Sequence, residues 1–101
     1  MRYETVTGLR TGEVLQRARD FFGPTGKVGL DTTEQGINQL LFAGGGGFVA
    51  LVTAQVAGGS RIQLTTHEFD REVEAFISQL PPATGPLHWL RGRFGSNRAT
   101  G

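Results

Sequence analysis

Apolar residues in this chain recur with two different periods. Val14, Leu15, Ala18, Phe21 and Phe22 fall at i, i+1, i+4, i+7 and i+8, a single stripe on a helix of 3.6 residues per turn. The spacing predicts a helix over residues 12–22, with Thr11 as its N-cap. Gly23-Pro24 closes it, because Gly suits the residue after a helix and Pro cannot continue the ladder. Phe69, Val73, Phe76, Ile77 and Leu80 repeat the helical spacing and predict a second helix over 67–80. Thr65 followed by Glu68 matches a capping box, with Thr66 as another candidate cap. Pro81-Pro82 ends that helix.

Between and before the helices the pattern is that of strands. Residues 2–7, 28–33, 37–42, 48–56 and 60–66 are predicted strands, rich in β-branched and aromatic side chains. Glu34-Gln35-Gly36 is the expected turn between the second and third. Ala43 and the run Gly44 to Gly47 are expected to form a flexible hairpin loop before the fourth. Gly58-Gly59 gives the two-residue hairpin signal before the fifth. The order is β-α-β-β-β-β-α, an α+β fold. Its last four strands form an antiparallel meander, since their links are too short to cross over. The first helix is long enough for a right-handed crossover. That places strand 1 beside strand 5, in the order 2-3-4-5-1, with both helices on one face of the sheet.

The expected register pairs Ala57 with Ser60, Gln55 with Ile62, Thr53 with Leu64 and Leu41 with Val49. One face then carries Ile37, Leu41, Val49, Leu51, Ile62 and Leu64. The other carries Leu40, Phe42, Phe48, Ala50, Val52, Ala54 and Val56, with Arg61 and Gln63 at one side. Side chains alternate strictly across a sheet, so helices on one side cover only one group. The second group is expected to face outward as an apolar patch, which a monomer rarely leaves open. Leu40, Phe42, Phe48, Ala50, Val52, Ala54 and Val56 are accordingly the candidate interface. A slip of one residue would exchange the two faces.

Composition narrows the classes of function. The chain has 101 residues, enough for one core. Residues 1–80 form the expected domain and residues 81–101 a tail rich in Pro, Gly and Arg. The chain lacks Cys, which excludes disulfides, thiolate catalysis and Cys-ligated metals. It holds no run of apolar residues long enough to span a membrane and opens without a signal-peptide pattern. A cytoplasmic protein without membrane contact is expected. The net charge of +1 exerts no strong field on nucleic acid. It hides an asymmetry, since Arg91, Arg93 and Arg98 stand in a tail without acids.

Candidate chemistry is sparse. The glycine run lacks the following helix and the Lys that a phosphate cradle needs. His67, Asp70 and Glu74 would share a helix face, yet Arg71 occupies the place where a zinc-protease helix has its second His. Together with Glu68 they read as a solvated acidic helix start. Asp31 and Glu34 at a turn lack the burial that shifts a carboxyl pKa. No Ser lies in a nucleophile-elbow context. An enzyme is not expected, nor a metal or cofactor. The tail residues Trp89, Arg91, Arg93 and Phe94 combine rings that stack on bases with cations that meet phosphates. The leading expectation is a non-enzymatic module acting by self-association and protein binding, as a homodimer through the outer sheet face. Single-stranded nucleic-acid binding is the second expectation, and carriage of a small apolar ligand the third.

Overall fold

The computed structural model describes residues 1–83. Its elements in chain order are β1 (Arg2–Thr7), α1 (Thr11–Phe22), β2 (Asp31–Gln35), β3 (Gln39–Gly44), β4 (Gly47–Val56), β5 (Gly59–His67) and α2 (Asp70–Ser78). The sheet runs β1-β5-β4-β3-β2 with every neighbouring pair antiparallel. The meander β2–β5 is thus extended by β1 into five strands rather than four. Central β4 is the longest strand, at ten residues.

Both helices pack on one side of this sheet. Phe22 of α1 lies 5.6 Å, ring to ring, from Phe42 of β3 and 5.1 Å from Phe76 of α2. Val14, Leu15, Ala18, Phe21 and Phe22 of α1 join Leu40, Phe42, Val49, Leu51, Ile62 and Leu64 of the sheet in one buried cluster with Val73, Phe76 and Leu80. The inner face of the sheet is therefore the core. Its buried hydroxyls are mostly satisfied. Thr7 Oγ1 donates to the Pro81 carbonyl (2.6 Å), Ser60 Oγ to that of Leu9 (2.7 Å) and Thr66 Oγ1 to that of Phe48 (2.7 Å).

Thr53 is the exception, for its buried Oγ1 has no hydrogen-bond partner among the described residues. A buried hydroxyl left unpaired costs about 1–3 kcal/mol. Thr53→Val keeps the shape and removes the polar atom. It is expected to raise the unfolding free energy by about 1 kcal/mol, read from urea denaturation. An unchanged or lower midpoint would refute this account of the site.

Several element boundaries differ from those expected, each for a local reason. α1 is capped at Arg10 rather than Thr11, and the Arg10 N–H donates to the Glu13 carboxylate (3.1 Å). β2 begins at Asp31, because the N–H groups of Val28 and Leu30 are taken by the Phe21 and Phe22 carbonyls at the end of α1 (2.9 and 2.8 Å). The β2–β3 turn lies at Ile37-Asn38, closed by the Gly36 N–H on the Gln39 carbonyl (2.8 Å). α2 starts at Asp70, because β5 runs on to His67 and Glu68 takes φ +80. Thr65 and Thr66 are thus strand residues, not helix caps.

The glycine run corrects the register. Gly44 pairs with Gly47, leaving Gly45 and Gly46 as a two-residue turn at φ +58 and +84. Positive φ at both central positions marks a type I′ turn, whose twist matches its strands. The hairpin is the expected one, but its turn is a tight two-residue one rather than a flexible loop over Ala43 to Gly47. Phe42 then faces Val49, and Leu40 faces Leu51, one residue away from the expected pairing. Such a slip sends every β3 side chain to the opposite face. The β4–β5 turn closes on Ala57-Gly58, pairing Val56 with Gly59 and Gln55 with Ser60. That shift is by two positions, so the faces of β4 and β5 stay as expected.

Candidate interaction face

The outer face of the sheet is built from residues that alternate with the core. Pairing aligns them in rows across the strands. His67, Phe48, Ala43 and Asp31 form the first row. Arg2, Thr65, Ala50, Leu41 and Glu34 form the second. Glu4, Gln63, Val52 and Gln39 form the third, followed by Val6, Arg61 and Ala54. Apolar side chains thus run down the middle, on β4 and at Leu41 and Ala43 of β3, while the two margins are polar and charged except for Val6.

Phe48 is 37% exposed and Val52 47% exposed, and Ala54 also faces solvent. Ala50, Val56, Leu41 and Ala43 are half-buried by their neighbours. The Phe48 ring lies nearly parallel to that of His67, at 6.4 Å and 22°. On the margin, Gln63 Nε2 donates to the Glu4 carboxylate (3.1 Å). Ile37, expected on the inner face, instead stands at the tip of the β2–β3 turn and is 90% exposed.

Of the candidate interface residues, Phe48, Ala50, Val52, Ala54 and Val56 lie together on this face. Leu40 and Phe42 do not. They are 2% and 0% exposed on the inner face, packed under the helices. Leu41 takes their place outside, as the pairing with Ala50 requires. The signal that locates Leu41 is the parity of the glycine turn. Two central glycines close an even loop, whereas the expected pairing of Leu41 with Val49 centres on one residue.

The other candidate clusters separate. His67 sits on β5, its Nε2 3.4 Å from the Glu68 carboxylate. Asp70 and Glu74 lie on α2 and converge instead on Tyr3, whose hydroxyl is 2.8 Å from Asp70 Oδ1 and 3.2 Å from Glu74 Oε2. Withdrawal from water, and then these two carboxylates, push the Tyr3 phenol well above its ordinary value. Removing its proton would set a third negative charge beside two. Asp31 and Glu34 are exposed on edge strand β2. A groove of about 650 Å³ runs between β1 and α2, lined by Tyr3, Thr5, Glu74, Ile77 and Ser78 among others. Its walls set the charges of Arg2, Glu4 and Glu74 beside apolar surface, and the groove is wide open to solvent, which suits an apolar ligand poorly.

Trp89, Arg91, Arg93 and Phe94 lie outside the described residues. No helix among the described residues is long and apolar enough to cross a membrane. Comparison of the chain with protein-family models, with curated proteins and with solved structures finds no match.

Proposed function

We propose that this protein is a non-enzymatic α+β module that acts by self-association and protein binding, with a homodimer formed through the outer face of its sheet. The observation that carries the reading is the central apolar stripe of that face, which lies opposite the helices. Five strands about 4.8 Å apart, and ten residues of β4 at about 3.4 Å each, give a face of roughly 24 by 34 Å. That is on the order of 600–800 Å², against about 800 Å² per partner in a stable interface of standard size. An apolar centre with a polar rim is the ordinary anatomy of such an interface.

Symmetric self-association makes each outer residue count twice, once in either protomer. Val52→Asp would set two carboxylates into the apolar centre. It is expected to weaken the dimer on the order of a hundredfold or more. Sedimentation of the wild-type chain at micromolar concentration is expected to show a dimer, and that of Val52→Asp a monomer of unchanged far-UV circular dichroism. A wild-type chain that sediments only as a monomer would defeat the proposal.

A further inference from the structure

The outer residues of β4 alternate in size. Phe48, Ala50, Val52, Ala54 and Val56 read large, small, large, small, large along one strand. Two such stripes brought face to face about 10 Å apart have two simple symmetric arrangements. With the two-fold axis parallel to β4, each residue opposes its own copy. Phe48 then meets Phe48, Val52 meets Val52, and the small positions leave voids between them.

With the axis perpendicular to β4 and passing between Ala50 and Val52, the two stripes run antiparallel. Phe48 opposes Ala54 of the other protomer, and Ala50 opposes its Val52. Each large side chain then enters a place left by a small one, which is how packed layers reach native density.

One further feature agrees with this inversion, and a second bears on its cost. The backbone of the β2–β3 turn is tied to β4 at that level, since the Thr53 N–H donates to the Asn38 carbonyl (2.9 Å). The turn that carries the exposed Ile37 therefore lies level with Ala54, and inversion brings it over the Ala43 and Phe48 row of the partner. The β2 margin holds only acids on this face. A register shift between Thr32 and Glu34 keeps Asp31 and Glu34 on the same side, where a regular strand would alternate them. Inversion lays this margin over its own copy, but offset along the strands, so that Asp31 meets the partner's turn rather than the partner's Asp31.

We propose, resting on the dimer inferred above, that two copies of this chain pack sheet on sheet with their β4 strands antiparallel about a two-fold axis between Ala50 and Val52, Phe48 of each seated over Ala54 of the other.

Exchange of the large and small residues tests this arrangement. Phe48→Ala and Ala54→Phe are each expected to weaken the dimer about tenfold, measured by sedimentation. The double variant moves the ring to the facing position and is expected to return to within about threefold of the wild type. Additive loss, on the order of a hundredfold, overturns the arrangement.

A second measurement does not depend on how these variants pack. The chain has no Cys, so Ala54→Cys introduces the sole thiol. The inverted arrangement holds the two introduced thiols about six residue steps apart, roughly 20 Å, whereas facing positions of packed sheets stand about 10 Å apart, beyond a disulfide but within reach of a short bismaleimide. No covalent dimer is expected from Ala54→Cys with that reagent, whereas Phe48→Cys combined with Ala54→Cys is expected to cross-link. Rapid self-linking of Ala54→Cys alone would establish the parallel axis, overturning this inference while leaving the dimer intact. A full-length chain that is monomeric throughout would overturn both. If its outer face were nonetheless protected from solvent, residues 84–101 would be the occupant.

Discussion

Phe22→Ala is expected to destabilise the fold by about 3–5 kcal/mol, the cost of removing a fully buried ring and leaving its cavity. Phe22 is the last residue of α1 and is wholly buried. Its ring touches Phe21 at 4.9 Å, Phe42 at 5.6 Å and Phe76 at 5.1 Å. It is thus the meeting point of both helices and the sheet. These neighbours belong to three different elements, so none can move in to fill the space without giving up its own packing. A domain of this length has roughly 5–15 kcal/mol in total. The variant is expected to lose about a fifth or more of its stability, with a large drop in urea midpoint. A loss under about 1.5 kcal/mol would mean that the cluster is not the core of the fold.

Gly59→Ala is the second change of large effect, and its cause is space. Gly59 opens β5 beside the end of β1. A Cβ there would press on the carbonyl oxygen of Thr7 and come within 2.9 Å of the Gly8 Cα. Both are backbone atoms of a paired strand or its end, so neither can rotate away as a side chain would. The conflict must be met by separating β5 from β1 where Thr7 pairs with Ser60. A destabilisation of about 2–4 kcal/mol is expected from this strain. Gly12→Ala is the control, because a Cβ at Gly12 meets nothing within 4 Å. It is expected to be neutral or slightly stabilising, since Ala favours a helix over Gly. Equal urea midpoints for the two variants would contradict the close approach.

Where sequence and structure agree, several local signals coincide. The expected helix 12–22 and the observed Thr11–Phe22 differ by one residue, because the stripe and the Gly-Pro stop point the same way. The strand expected at 48–56 is observed at Gly47–Val56. The antiparallel α+β outline was legible for the same reason. Disagreement appears where a residue's partner lies elsewhere in the chain. Val28 has strand character, but its N–H is used by the end of α1. His67 fits a helix pattern, but pairing with Phe48 holds it in β5. β3 carries Leu40, Leu41 and Phe42 in succession, so its hydrophobicity does not show which face is inner. Only the geometry of the Gly45-Gly46 turn decides that. The candidate face was therefore legible along β4 and misassigned along β3.

The order of the strands also bears on how the chain assembles. The β2–β5 hairpins join near neighbours in sequence, whereas β1 meets β5 through pairs such as Arg2 with Thr65. Closing so long a loop is entropically slow compared with forming hairpins. β1 therefore has every reason to dock after the meander has formed. Until then the acceptor edge of β5 stands open, so a nascent chain is most exposed to mispairing along the strand that its own first residues will later cover.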